Sequence, residues 1–174
     1  MRPNGAGWAL LPLRLFLGGT FVFAGLQKLA DPGFFDAAKT GSIQYQIHAY
    51  APSSPLHPLL DLAAHVPVLV GVLIALGEVA AGVGAITGLW TRVAAAGGMA
   101  ISLLLFLTVS YQVAPFYLGS DIVFLFAWTP LALAGAGGAW SLDEALRRRR
   151  EPAPASGVPA GAAPRPGVAA QGGG

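Results

Sequence analysis

Glu78 stands alone in an apolar segment, 66–90, with no other charge within more than two helical turns on either side. A carboxylate at that depth in lipid costs at least ~2.5–3.5 kcal/mol, so it requires a partner or a chemical task. Three other charged residues fall inside apolar stretches, Arg14, Lys28 and Asp121, and Arg92 begins one. The chemistry open to this set is ion pairing, proton transfer and recognition of a polar headgroup. His48, His57 and His65 are eight or nine residues apart on a proline-broken stretch, not at the i, i+3 or i+4 spacing that gathers metal ligands on one helix. No metal site is therefore expected. Gly82-x-Gly84 follows no strand and carries no lysine, so it is not a phosphate loop. The chain has no cysteine, which removes thiolate nucleophiles, thiolate metal sites and iron–sulfur clusters from its own repertoire. A redox role would have to pass through an organic cofactor or a partner subunit.

The elements that position these charges follow from composition. Hydrophobic residues make up 55% of the 174 residues and charged residues only 10%, the profile of a polytopic membrane protein. Four apolar stretches, 9–30, 66–87, 92–112 and 119–139, are each about 20 residues long, enough at ~1.5 Å per residue to cross ~30 Å of hydrocarbon. Backbone groups in lipid must be satisfied internally, so the expected fold is an all-α bundle of four transmembrane helices. The first stretch is too long for a signal h-region and lacks a cleavage pattern after it, so it reads as a retained helix. The 31–65 connection is expected to be a long external loop carrying short interfacial helices, with APSSPLHP breaking them. The domain division is a terminus over 1–8, a membrane domain over 9–143, and a basic then Pro/Ala/Gly-rich disordered tail over 144–174.

Arg2, Arg92, the Arg147–Arg150 run and Arg165 fall on the side of both termini, against Lys39 and Lys28 on the other. The positive-inside rule then makes both termini cytoplasmic in a bacterial plasma membrane. The arginine run reads as a topology anchor touching lipid headgroups and not as a nucleic-acid site.

Depth arithmetic places Arg14 ~8 Å and Glu78 ~12–14 Å above the inner boundary, and Lys28 beside Asp121 near the outer one. The expected ion pairs are Arg14 with Glu78 and Lys28 with Asp121. Arg14, Gly18, Phe21, Gly25 and Lys28 form one stripe on the first helix; Gly71, Ala75, Glu78, Gly82 and Ala85 form another on the second. Two roles stay open for the charges. They are structural glue, or Arg14 and Glu78 line a polar pocket for a quinone headgroup or a transferred proton.

Three blocks carry a resemblance: LRLFLGGTFVFAGLQKLADPGFF, GEVAAGVGAITGLWTRVAA and YLGSDIVFLFAWTPLALAGAGGAWSLD. Together, over about 10–143, they resemble the DoxX family, and the last looks most like its DoxD branch, the small membrane subunit of thiosulfate:quinone oxidoreductase. The family pattern matches at Arg14, Gly18, Gly25, Lys28, Gly77 and Glu78. The resemblance implies a four-helix bundle that works with a partner subunit and passes electrons from a sulfur compound to quinone. Relatives are also implicated in membrane-associated oxidative-stress complexes. The other reading is a non-catalytic membrane scaffold or small-solute membrane protein of the same family.

Overall fold

A computed structural model describes residues 5–150. Among them the chain is helical throughout its ordered elements, with no strand. Helix α1 (Gly5–Ala30) leads into two short helices, α2 (Ile43–Tyr50) and α3 (His57–Ala63). Then come α4 (Pro67–Thr87), α5 (Thr91–Thr108), α6 (Ser120–Ala134) and α7 (Leu142–Arg150). Helices α1, α4 and α5 are long and apolar enough to cross a membrane, which makes this a multi-pass membrane protein. Helix α6 is equally apolar but has 15 residues, or ~22 Å at 1.5 Å per residue. Leu15, Phe16, Phe23, Leu26, Leu73 and Phe126 are exposed on the outside of the bundle, where acyl chains are their natural solvent.

Local chemistry sets the helix ends. Pro67 occupies the first turn of α4, where a missing N–H costs nothing. Gly88 ends α4 in the left-handed conformation, φ 68°, and donates its N–H to the Gly84 carbonyl. The third apolar stretch stops being helical at Thr108 and not at 112; the Thr108 hydroxyl turns back onto the Leu104 carbonyl at 2.7 Å. The fourth ends at Ala134 and not at 139, because the GAGG sequence supplies positive φ at Gly135, Gly137 and Gly138. The disordered tail expected over 151–174 and the arginines at 2 and 165 lie outside the described residues.

Small residues bring α1 and α4 together. A Cβ placed on Gly82 would stand 2.6 Å from the Gly18 carbonyl oxygen and 2.8 Å from the Val22 nitrogen; one on Gly25 would stand 2.5 Å from the Ala75 carbonyl oxygen. Both expected stripes therefore meet at backbone contact distance, as helix interfaces in lipid require. Gly71, Ala75, Glu78, Gly82 and Ala85 are all buried. Gly82→Ala is expected to destabilise the bundle by ~1–3 kcal/mol, since the obstacle is backbone and cannot step aside. Gly97→Ala, with nothing within 4 Å of the added Cβ, should be neutral. Unfolding in mixed detergent micelles would compare the two, and equal stability losses would contradict the packing.

Two cores result. The first joins α1, α4, α5 and α6 around Leu17, Phe21, Trp128 and Leu131. Trp128 is fully buried, sits edge-on to Phe21 at 4.9 Å, and lies on Gly98, where a Cβ would clash at 2.4 Å. The second, made of Phe34, Ile43, Ile47, Ala51, Leu60 and Ala63, forms a lid over the end of the bundle where α1 stops and α4 begins. Ser42 caps α2 by accepting from the Tyr45 N–H. Ser54 fastens the lid to α5 by donating to the Leu107 carbonyl at 2.8 Å.

Candidate functional site

Glu78 is 3% exposed, and its partner is Lys28. The Lys28 ammonium donates to both carboxylate oxygens, at 2.8 and 2.7 Å. The expected Arg14–Glu78 pair does not form, and neither does a Lys28–Asp121 contact. Side-chain direction explains the exchange. Cα–Cβ bonds tilt toward a helix's own N-terminus. On antiparallel α1 and α4, Lys28 therefore leans back into the bundle while Glu78 leans outward to meet it. Arg14 and Glu78 lean away from each other for the same reason.

Arg14, fully buried, spends its guanidinium on backbone carbonyls. Nε donates to Ala85 O at 3.0 Å; Nη1 donates to Ala139 O at 2.7 Å and Ala136 O at 3.3 Å; Nη2 donates to Ile86 O and Trp140 O, both at 3.2 Å. Ala85 and Ile86 lie in the last turn of α4, whose carbonyls have no partner within the helix and carry the negative end of its dipole. The other three carbonyls belong to the glycine-rich turn after α6. One cation thus joins α1, the end of α4 and the 135–140 turn, with all five of its N–H donors engaged. No donor is left for a ligand, so the geometry removes Arg14 from the candidate site and makes it a strut. Gly88 must lack a side chain here, because a Cβ would lie 2.5 Å from Arg14 Nη2.

Asp121, in the first turn of α6, accepts from the Ser110 hydroxyl in a very close contact. It feels the charge of Lys28 without touching it, and it also acts electrostatically on Glu78. Of the two carboxylates, Lys28 therefore contacts Glu78 alone, and Ser110 holds Asp121. Ser110 has no periodic or motif signal in the sequence beyond being a polar residue near a helix end.

Lys28 also lines an apolar cavity of about 170 Å³ between the bundle and the lid. Phe34, Ile47, Tyr50, Leu60, Ala63 and Leu105 are among its walls, and Lys28 is the one charged lining residue among those described. A dry apolar cavity of ~150 Å³ admits a benzene ring, so this volume holds a six-membered ring with a charged group at its edge. The lid residues of α2 and α3 were invisible as site residues from the sequence, because only the folding back of the 31–65 connection brings them over Lys28. His57 is paired with Asp61 at 3.0 Å on the exposed face of the lid, away from these charges.

Comparison with known families matches residues 9–111 to DoxX. The chain belongs to the DoxX family. The match covers α1 through α5 and includes Arg14, Lys28 and Glu78. No curated protein and no solved structure matches this DoxX chain.

Proposed function

We propose that this DoxX protein is the membrane subunit of a quinone-linked oxidoreductase, of DoxD-like type, with quinone bound in the cavity beside Lys28. The supporting observation is the joining of an apolar, ring-sized space to a half-buried ammonium paired with a buried carboxylate. A lipid-soluble quinone needs that combination: apolar walls for the ring and tail, and a charged donor at the carbonyl that gains electron density on reduction. Quinone takes up two electrons and two protons to become quinol. Lys28 can hydrogen-bond the oxygen that gains electron density and give it one proton; the second proton comes from water, and Glu78, as the carboxylate partner of Lys28, can relay a proton from water back to the amine. The chain lacks cysteine, so the electrons come from a partner subunit that oxidises thiosulfate or a related sulfur compound. In this reading α6 is a fourth crossing, both termini are cytoplasmic in a bacterial plasma membrane, and the lid faces outward to meet the partner.

The test begins with the purified chain and its bound lipids. Quinone should co-purify at about one per chain. Ala63→Phe fills the cavity from α3 while keeping both charges of the ion pair, and should lower bound quinone at least ~10-fold, equivalent to ~1.4 kcal/mol of binding. If no quinone co-purifies, or if Ala63→Phe retains it fully, the cavity is not the quinone site. A non-catalytic scaffold held together by its charges would then be the better reading.

A further inference from the structure

The short helix α3 presents three faces in seven residues. Leu60 and Ala63, three apart, are buried against the bundle. His57 and Asp61, four apart, pair at 3.0 Å on a second, exposed face, where His65 Nδ1 also lies 2.9 Å from the Asp61 carbonyl oxygen. Leu59 and Leu62, three apart, stand exposed on the third. An exposed apolar face beside an exposed polar one is how a helix lies at a membrane boundary, with one edge in water and the other among acyl chains. The apolar edge does not stop at α3. Only three residues separate Leu62 from Val66, and Val66, Leu69 and Leu73 carry exposed apolar side chains onto the membrane-crossing α4.

The cavity beneath the lid shares that edge. Leu59 is 47% exposed and is the one exposed residue among those lining the cavity. The polar face of α3 contributes nothing to the lining, since His57, Asp61 and His65 are all outside it. Elsewhere the lid is fastened. Phe34 and Ile43 pack on α4 at Gly71, where a Cβ would lie 3.1 and 3.3 Å from them, and Ser54 holds the lid to the Leu107 carbonyl at 2.8 Å. The lining reaches Ile74, seven residues past the start of α4 at Pro67, or ~10 Å along that helix. The space therefore lies within the crossing length of α4.

We propose that the cavity opens sideways into the bilayer past Leu59, in the leaflet on the lid's side, and takes a membrane-dissolved ligand whose ring enters while its hydrocarbon tail stays among the acyl chains. The proposal rests on the cavity being the ligand site, as argued above, but not on the ligand being quinone. A water-borne polar ligand would exchange its hydration for apolar walls. The one charged group it would find there, Lys28, is already held by both oxygens of Glu78.

The chain has no cysteine, so single-cysteine variants of the full chain in nanodiscs can report the route. Two probes share one small reactive ring: N-dodecylmaleimide, dissolved in the bilayer, and a sulfonated maleimide held in water. Leu62→Cys and Asp61→Cys are the references for the lipid and water faces of α3. Ala63→Cys, inside the cavity, should follow Leu62→Cys: labelled by the dodecyl probe and spared by the sulfonated one, as read by intact mass. Adding Leu59→Trp should slow that labelling about tenfold, or ~1.4 kcal/mol of added barrier. Adding Leu62→Trp, on the same face but outside the cavity lining, should leave the rate unchanged. The sideways opening is overturned if the sulfonated probe labels Ala63→Cys as fast as Asp61→Cys, if neither probe labels it, or if Leu59→Trp has no effect. Selective dodecyl labelling of a chain that carries no quinone would support the route and remove only the quinone.

Discussion

Lys28→Met should be the more damaging half of the Lys28–Glu78 pair, and the loss should be largely recovered by adding Glu78→Gln. Removing the ammonium leaves Glu78 buried at 3% exposure with no cation in contact. Breaking a buried pair in this way costs ~3–5 kcal/mol in soluble proteins, with a smaller loss expected in lipid. Glu78→Gln alone is milder, because the Lys28 side chain is 25% exposed and sits near the helix end, where a lysine can extend its ammonium toward water. The double variant leaves no unpaired buried charge, so it should be closer to wild type than Lys28→Met. Membrane accumulation and reversible unfolding in mixed micelles would measure all three. Equal damage from the two single changes, or a double variant as poor as Lys28→Met, would show that the pair is not the energetic unit described.

The same pair separates glue from chemistry. Glu78→Gln keeps size and hydrogen-bonding capacity while losing the titratable proton. If the variant accumulates normally and quinone reduction by the assembled complex is unchanged, Glu78 has no proton role and only its contact with Lys28 counts. Loss of turnover at normal abundance is the outcome the proposed function requires.

Much of this architecture is written in the residue pattern. The stripe from Gly71 to Ala85 marked the face of α4 that meets α1, because close helix approach in lipid leaves little choice but glycine and alanine. Trp128, the one tryptophan that falls inside an apolar stretch and not beside its end, is the buried centre of the first core. The choice of ion partners was not legible from depth alone. Axial position gives where a Cα lies, whereas partners are decided by where a long side chain points, and on antiparallel helices that differs by helix direction. Nor could the sequence show that an arginine would be consumed by carbonyls. The five acceptors of Arg14 come from two segments 71 to 126 residues away, and by composition the turn that offers three of them is the end of an apolar stretch. The lid was visible as interfacial helices, but the cavity beneath it depends on a tertiary fold-back with no local signature.

Arg14 should tolerate substitution least of all. Arg14→Met removes five hydrogen bonds to carbonyls in a buried site. Each charge-assisted bond is worth ~1.5–3 kcal/mol, though the set is not additive, so a loss of at least ~4 kcal/mol is expected. Arg14→Lys should recover less than half of it. A lysine keeps the charge but has three donors at one point, and cannot reach the end of α4 and the 135–140 turn together as a planar guanidinium does. The decisive comparison adds Glu78→Gln to Arg14→Met. Ala85, level with Arg14, is seven residues along α4 from Glu78, or ~10 Å, far enough for the two losses to add within ~0.5 kcal/mol. Full rescue of Arg14→Met by Glu78→Gln would restore the Arg14–Glu78 pairing suggested by depth arithmetic and overturn the strut. Additive losses, with the glycine-rich turn becoming susceptible to protease in Arg14→Met and not in Glu78→Gln, are what the carbonyl geometry requires.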